Sequence, residues 1–98
     1  MKEANCKIVL DKGTKIVKCN TYKHSGLGRT IAVHEDPSNK GRTNLTDFVT
    51  GYKFLTIAEP MKNVREQLVQ EKLEGFLKHF GVKETLDRLT RLESEKEK

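Results

Sequence analysis

The chain has 98 residues, of which 34% are charged and 35% apolar, with a formal net charge of +5. That is the size of one domain with a lean core. No run approaches the ~20 apolar residues of a membrane span, and two cysteines are too few for a disulfide framework. The charge is uneven. Residues 1–58 hold ten Lys and Arg against five Asp and Glu, whereas residues 59–98 hold nine of each. A basic half beside a neutral half points to an anionic partner for the first half. Met1 to Ala4 lack the apolar stretch of a secretory signal, so the expected setting is the cytoplasm, with reduced thiols and no membrane.

In chain order, Asn5 to Cys19 reads as a β-hairpin. Cys6 to Leu10 and Lys15 to Cys19 flank Asp11-Lys12-Gly13-Thr14. A two-residue loop at Lys12-Gly13 pairs Ile8 with Val17 and sets Cys6 opposite Cys19. One face then carries Cys6, Ile8, Leu10, Val17 and Cys19, with Lys15 as its only polar member, and the other carries Lys7, Val9, Asp11, Thr14, Ile16 and Lys18. A slip of one residue would mix lysines into the core face. The cysteines read as small buried hydrophobes rather than metal ligands, because His24 and His34 follow at no zinc-site spacing.

Asn20 to Gly28 reads as a loop, Arg29 to His34 as a strand, and Glu35 to Gly41 as a second loop rich in turn residues. Leu45 to Val49 and Tyr52 to Ile57 are the last extended runs, with Thr50-Gly51 either a turn or a bulge between them. Pro60 to Phe80 reads as one long amphipathic helix with Pro60 at its first position. Met61, Val64 and Leu68 form one apolar stripe, and Val69, Leu73, Phe76, Leu77 and Phe80 a second. Gly81 suits a C-terminal cap with Val82 packed on Leu77. A second helix follows with Val82, Leu86, Leu89 and Leu92 at helical spacing. From Glu93 the chain is wholly polar and is expected to fray. The expected fold is therefore α+β: an antiparallel sheet of four or five strands followed by two C-terminal helices, in a single domain over 1–92 (a basic β-rich part over 1–58, a helical part over 59–92), with a charged tail over 93–98.

Two features invite a chemical reading. Gly28-Arg29-Thr30 recurs as Gly41-Arg42-Thr43. Glycine lets backbone N–H groups turn toward an anion, and arginine adds a fork of donors. Neither copy is a P-loop, since no Gly-Lys-Ser/Thr is present and no helix follows. The second feature is Gly51-Tyr52-Lys53-Phe54-Leu55, where Gly51, Tyr52, Phe54 and Leu55 are similar in spacing to the base-stacking strand of the RNA-recognition motif. Thr50, Lys53 and Ile57 depart from that pattern, and a hairpin stands where the motif has its first helix, so membership does not follow. Tyr52 and Phe54 share a strand face and are expected to be core for the helix.

No catalytic constellation is recognisable, and neither cofactor nor metal is implied. The reading is a non-enzymatic binding module for phosphate-bearing ligands, nucleic acid or nucleotide, with Lys23, His24, Arg29, Lys40 and Arg42 as candidate donors. The alternative is a small regulatory or inhibitory protein of the phage or mobile-element type that binds another protein. A homodimer through the helical face is a further possibility.

Overall fold

The computed structural model describes residues 1–10 and 13–96, without the side chain of Lys96. Five antiparallel strands lie side by side in sequence order: β1 (Lys2–Leu10), β2 (Gly13–His24), β3 (Arg29–Asp36), β4 (Asn39–Asp47) and β5 (Lys53–Ile57). A 3₁₀ turn (Met61–Asn63) leads to two helices, α1 (Glu66–Phe80) and α2 (Val82–Lys96). The α+β order read from the sequence is the order found.

The strands are longer and the loops tighter than the sequence suggests. β2 continues through His24. The loop after β3 shrinks to Pro37-Ser38, because Asp36 accepts from the Ser38 N–H and Asn39 from the Gly41 N–H, at 2.9 Å each. These side chains supply the turn's hydrogen bonds, so the strands run up to it.

The first hairpin is displaced from the expected register. Cys6 faces Val17, Ile8 faces Lys15, Leu10 faces Gly13, and Cys19 lies opposite Ala4 rather than Cys6. Gly13 is thus a strand residue, at φ 128°, and Lys12 lies outside the described residues. The displacement is two residues, and side chains alternate with a period of two, so every residue keeps its face. Hydrophobic patterning cannot separate registers that differ by two.

On one face Cys6, Ile8, Cys19 and Ala32 are buried, with Ala4, Val17 and Phe48 packed around them. His34 and Thr46 share that face and are 1% and 2% exposed. The helices cover the other face, so these residues are buried because the sheet curls. The Thr50–Gly51 turn confirms the curl: a Cβ on Gly51 would lie 2.9 Å from the Lys7 carbonyl oxygen of β1. The β4–β5 turn thus lies against the backbone of β1. Gly51, at φ 78°, is required here both for its conformation and for this close approach.

Against the outer face lies the larger core. Ile31, Val33, Leu45, Phe54 and Ile57 of the sheet meet Val64, Val69, Leu73, Leu77 and Leu89. Tyr52 packs on this cluster and Phe54 belongs to it, so the aromatic pair packs against the helices. Thr50–Gly51 is a turn, with Gly51 N–H donating to the Asp47 carbonyl at 2.8 Å, and a separate irregularity lies in the β4–β5 pairing at Leu45/Thr46.

The long helix expected from Pro60 is broken. Val64 and Arg65 are extended, and α1 begins only at Glu66. Asn63 and β-branched Val64 are weak helix formers. The break lets the 3₁₀ turn sit on the sheet, where Thr43 Oγ1 donates to the Glu59 carbonyl at 2.8 Å. The second stripe is buried at Val69, Leu73 and Leu77, whereas Phe80 is 55% exposed. Gly81 does not cap as expected. At φ 88°, ψ 140° it joins the helices directly: its N–H donates to Leu77 O, and its carbonyl accepts from Thr85 N and Oγ1. Val82 opens α2 and is exposed instead of covering Leu77. α2 also runs past Leu92 through Lys96, so the segment expected to fray is helical through that residue, and Glu97 and Lys98 lie outside the described residues.

Candidate functional site

The first Gly-Arg-Thr copy closes the β2–β3 hairpin. Gly28 takes φ 64° and its N–H donates to the His24 carbonyl at 2.9 Å. His24 is buried, and its Nδ1 accepts from the Leu27 N–H at 3.1 Å. Gly26 leaves room for that ring, since a Cβ there would fall 2.9 Å from His24 Cε1. His24 is therefore held inside the turn.

Arg29 points inward to a partner that sequence reasoning passed over. Its Nε and Nη2 donate to the two carboxylate oxygens of Asp47 at 3.0 and 2.7 Å. Its Nη1 pairs with Glu93 of α2. Asp47 is fully buried and also accepts from Thr50 N and Oγ1 at 2.9 and 2.8 Å. Burial alone would raise the Asp47 carboxyl, but the hydrogen bonds from Arg29 and Thr50 outweigh it and hold it below the usual carboxylate range. The hydrogen bonds to Asp47 likewise raise the Arg29 guanidinium above its ordinary value. A signal for this pair exists in the sequence: Asp47 stands two residues after Leu45, on the same strand face, where an acid needs a cation.

The second copy lies elsewhere. Lys40 and Arg42 are exposed near the β3–β4 turn, and Thr43 turns its hydroxyl to Glu59. β3 runs from Arg29 to Glu35, opposite Thr43, so the two copies are about 20 Å apart, taking ~3.3 Å per residue. They cannot hold one phosphate between them. Lys23 is exposed on β2, opposite Thr30. Of the five candidate donors, Lys23, Lys40 and Arg42 are free to meet a ligand, whereas His24 and Arg29 are committed within the fold.

His34, at the centre of the inner face, is likewise internal. Its ring spans the Glu35 carbonyl at 3.0 Å and Thr46 Oγ1 at 2.7 Å. A carbonyl only accepts, so Nδ1 carries the proton and Nε2 accepts from the Thr46 hydroxyl. Burial lowers the His34 pKa. Cys6 and Cys19 are free thiols, both buried; burial pushes Cys6 up to about 12 and raises Cys19. Among the described residues no cluster of His, Cys, Asp and Glu could hold a metal ion, and no helix is long and apolar enough to cross a membrane.

The exposed basic surface with the most defined geometry is the outer face of the first hairpin. β2 pairs with β3 only from Asn20 onward, so Gly13–Cys19 extends past it with β1 as its sole partner. There Lys7, Val9, Ile16 and Lys18 stand on one face. Lys7 is directly opposite Ile16, and Val9 and Ile16 are 58% and 70% exposed. At its base Asn5 and Lys18 line a hollow with Met61 of the 3₁₀ turn, and the Val9 side chain lies against Gly51. Compared with known proteins, the chain has no significant match to a family model, a curated protein or a solved structure.

Proposed function

We propose that the protein is a non-enzymatic module that binds nucleic acid through the outer face of the β1–β2 ribbon, with Lys23, Lys40 and Arg42 as further phosphate contacts. The observation that carries this reading is the exposure of Val9 and Ile16 on the same face as Lys7 and Lys18, with Ile16 opposite Lys7 and Val9 next to Lys7 toward the end of β1, in the half that holds the whole charge excess. A two-stranded ribbon has the width of a nucleic-acid groove. Lysines on that face suit phosphates, and the β-branched side chains beside them suit sugar and base surfaces. A single mononucleotide fits less well, because the two Gly-Arg-Thr copies are apart and one arginine is occupied.

Binding of labelled duplex and single-stranded oligonucleotides, followed by anisotropy over a range of salt, tests this. Lys7→Gln and Lys18→Gln should each lower the slope of log affinity against log salt by about one. Arg29→Ala should act only through stability. A second reading, a protein partner, draws on the apolar content of the same face. If the wild type binds no oligonucleotide at low salt, that reading replaces the first.

A further inference from the structure

The end of α1 and the start of α2 lie beside the outermost strand, β5, and between the three is a groove of about 310 Å³. Its walls are aromatic. Tyr52, Phe54, Phe76 and Phe80 form a chain of ring contacts with centroids 5.6, 5.6 and 4.6 Å apart. Such chains close the interior of a core, yet this one ends at Phe80, which is more than half exposed. Arg88 forms part of the wall. It donates one N–H to the Tyr52 hydroxyl at 3.0 Å, and its guanidinium carbon lies 5.8 Å from the Tyr52 ring centroid. Among the described residues no carboxylate pairs with Arg88, although Glu84 is one helical turn away on the same wall.

We propose that this groove binds a small planar aromatic ligand carrying a single carboxylate. The volume is at the low end for small-molecule sites, enough for one ring system and a short chain. The ring would lie against Phe76 and Phe80. The carboxylate would take the N–H fork of Arg88, which its contacts with Tyr52 already orient. A monoanion fits better than a phosphate dianion, because Glu84 places a negative charge on the same wall and only one arginine opposes it. The groove is built from β5, α1 and α2 and uses no residue of the β1–β2 ribbon, so it stands or falls apart from nucleic-acid binding.

The chain has no tryptophan, so indole-3-propionate excited at the red edge, beyond tyrosine absorption, reports that ligand alone. The expected result is saturable binding of one ligand per chain. The primary amide of the same acid should bind about tenfold more weakly, the loss of a charge-assisted hydrogen bond. Arg88→Gln should cost the acid that same factor and leave the amide unchanged. Phe80→Ala, at a site more than half exposed, should weaken acid and amide alike. Equal affinity for acid and amide in the wild type, or undiminished acid binding in Arg88→Gln, overturns the carboxylate assignment. No saturation up to about 10 mM, the weak limit of specific binding, overturns the site. So does a dimer in sedimentation that Phe80→Ala dissociates, because a second copy would then fill the groove.

Discussion

Replacing Asp47 by Asn tests the polar clamp that joins β3, β4 and α2. The Asp47 carboxylate is fully buried and takes four hydrogen bonds, two from Arg29 and two from Thr50. Asparagine keeps the shape but presents an NH2 group to donors that need an acceptor. Removing one partner of a buried ion pair costs about 3–5 kcal/mol. Arg29 keeps Glu93 and its side chain is 16% exposed, so the guanidinium is not stranded and the expected loss is at the low end, about 3 kcal/mol. At ~4–8 °C per kcal/mol for a domain of this size, Tm should fall by roughly 12–24 °C. Urea unfolding followed by circular dichroism measures the loss directly. Acid supplies an independent readout. The folded-state pKa of Asp47 is depressed, so its contribution is complete above the ordinary carboxyl value near ~4 and disappears as pH falls through the lower folded value. Wild type should therefore lose more stability than Asp47→Asn below about pH 4. A loss under about 1 kcal/mol at neutral pH, the range of an exposed pair, would refute the claim that the clamp organises this end of the sheet.

Glu93→Gln, at the exposed end of the same clamp, should cost less than about 1 kcal/mol by urea unfolding, since its side chain is 36% exposed. His34 is buried with its pKa lowered, so the unfolded chain gains a proton that the native state refuses. Stability should fall as pH drops below about 6.5, down to the folded value, at a limiting ~1.4 kcal/mol per pH unit; His34→Gln should be less stable at neutral pH but lack this slope. Leu73→Ala and Leu89→Ala, each at a fully buried site, should each cost about 2–5 kcal/mol, with midpoints independent of protein concentration. Both thiols should resist alkylation at neutral pH in the native state and react once the chain is unfolded, because burial holds Cys6 at about 12 and raises Cys19.

The elements were legible where one physical signal dominated. Alternation in β1 and β2 assigned Cys6, Ile8 and Cys19 to one face and Lys7, Val9 and Ile16 to the other, and the faces are as read. The pairing itself was not legible, because registers two residues apart bury the same side chains. Pro60 and the helix formers that follow suggested an unbroken helix. What breaks it is tertiary: Met61 and Val64 pack on the sheet ahead of α1. The polar stretch from Glu93 looked free, yet Glu93 forms an ion pair with a residue 64 positions earlier. Apolar periodicity carries no trace of such a contact.

The first Gly-Arg-Thr copy serves the fold for a related reason. Glycine and arginine side by side suit an anion cradle, but the same chemistry serves a tight turn followed by a buried cation. Only the position of Asp47 decides between them. β3 and β4 set Asp47 opposite Ile31, two residues beyond Arg29 on the same face, so the first arginine is satisfied within the fold. That pairing removes one cation and one anion from the first 58 residues and leaves their excess of five positive charges unchanged. The charge excess of this half therefore does not depend on the Gly-Arg-Thr turns. Nearly all the remaining cations of that half are exposed lysines on strands, with Arg42 the one arginine among them. An array of single ammonium groups along a ribbon gives affinity that is strong in low salt and weakly selective for sequence, because it counts phosphates rather than reading bases. Any selectivity would have to come from Val9 and Ile16, whose β-branched side chains stand beside the lysines on the same face.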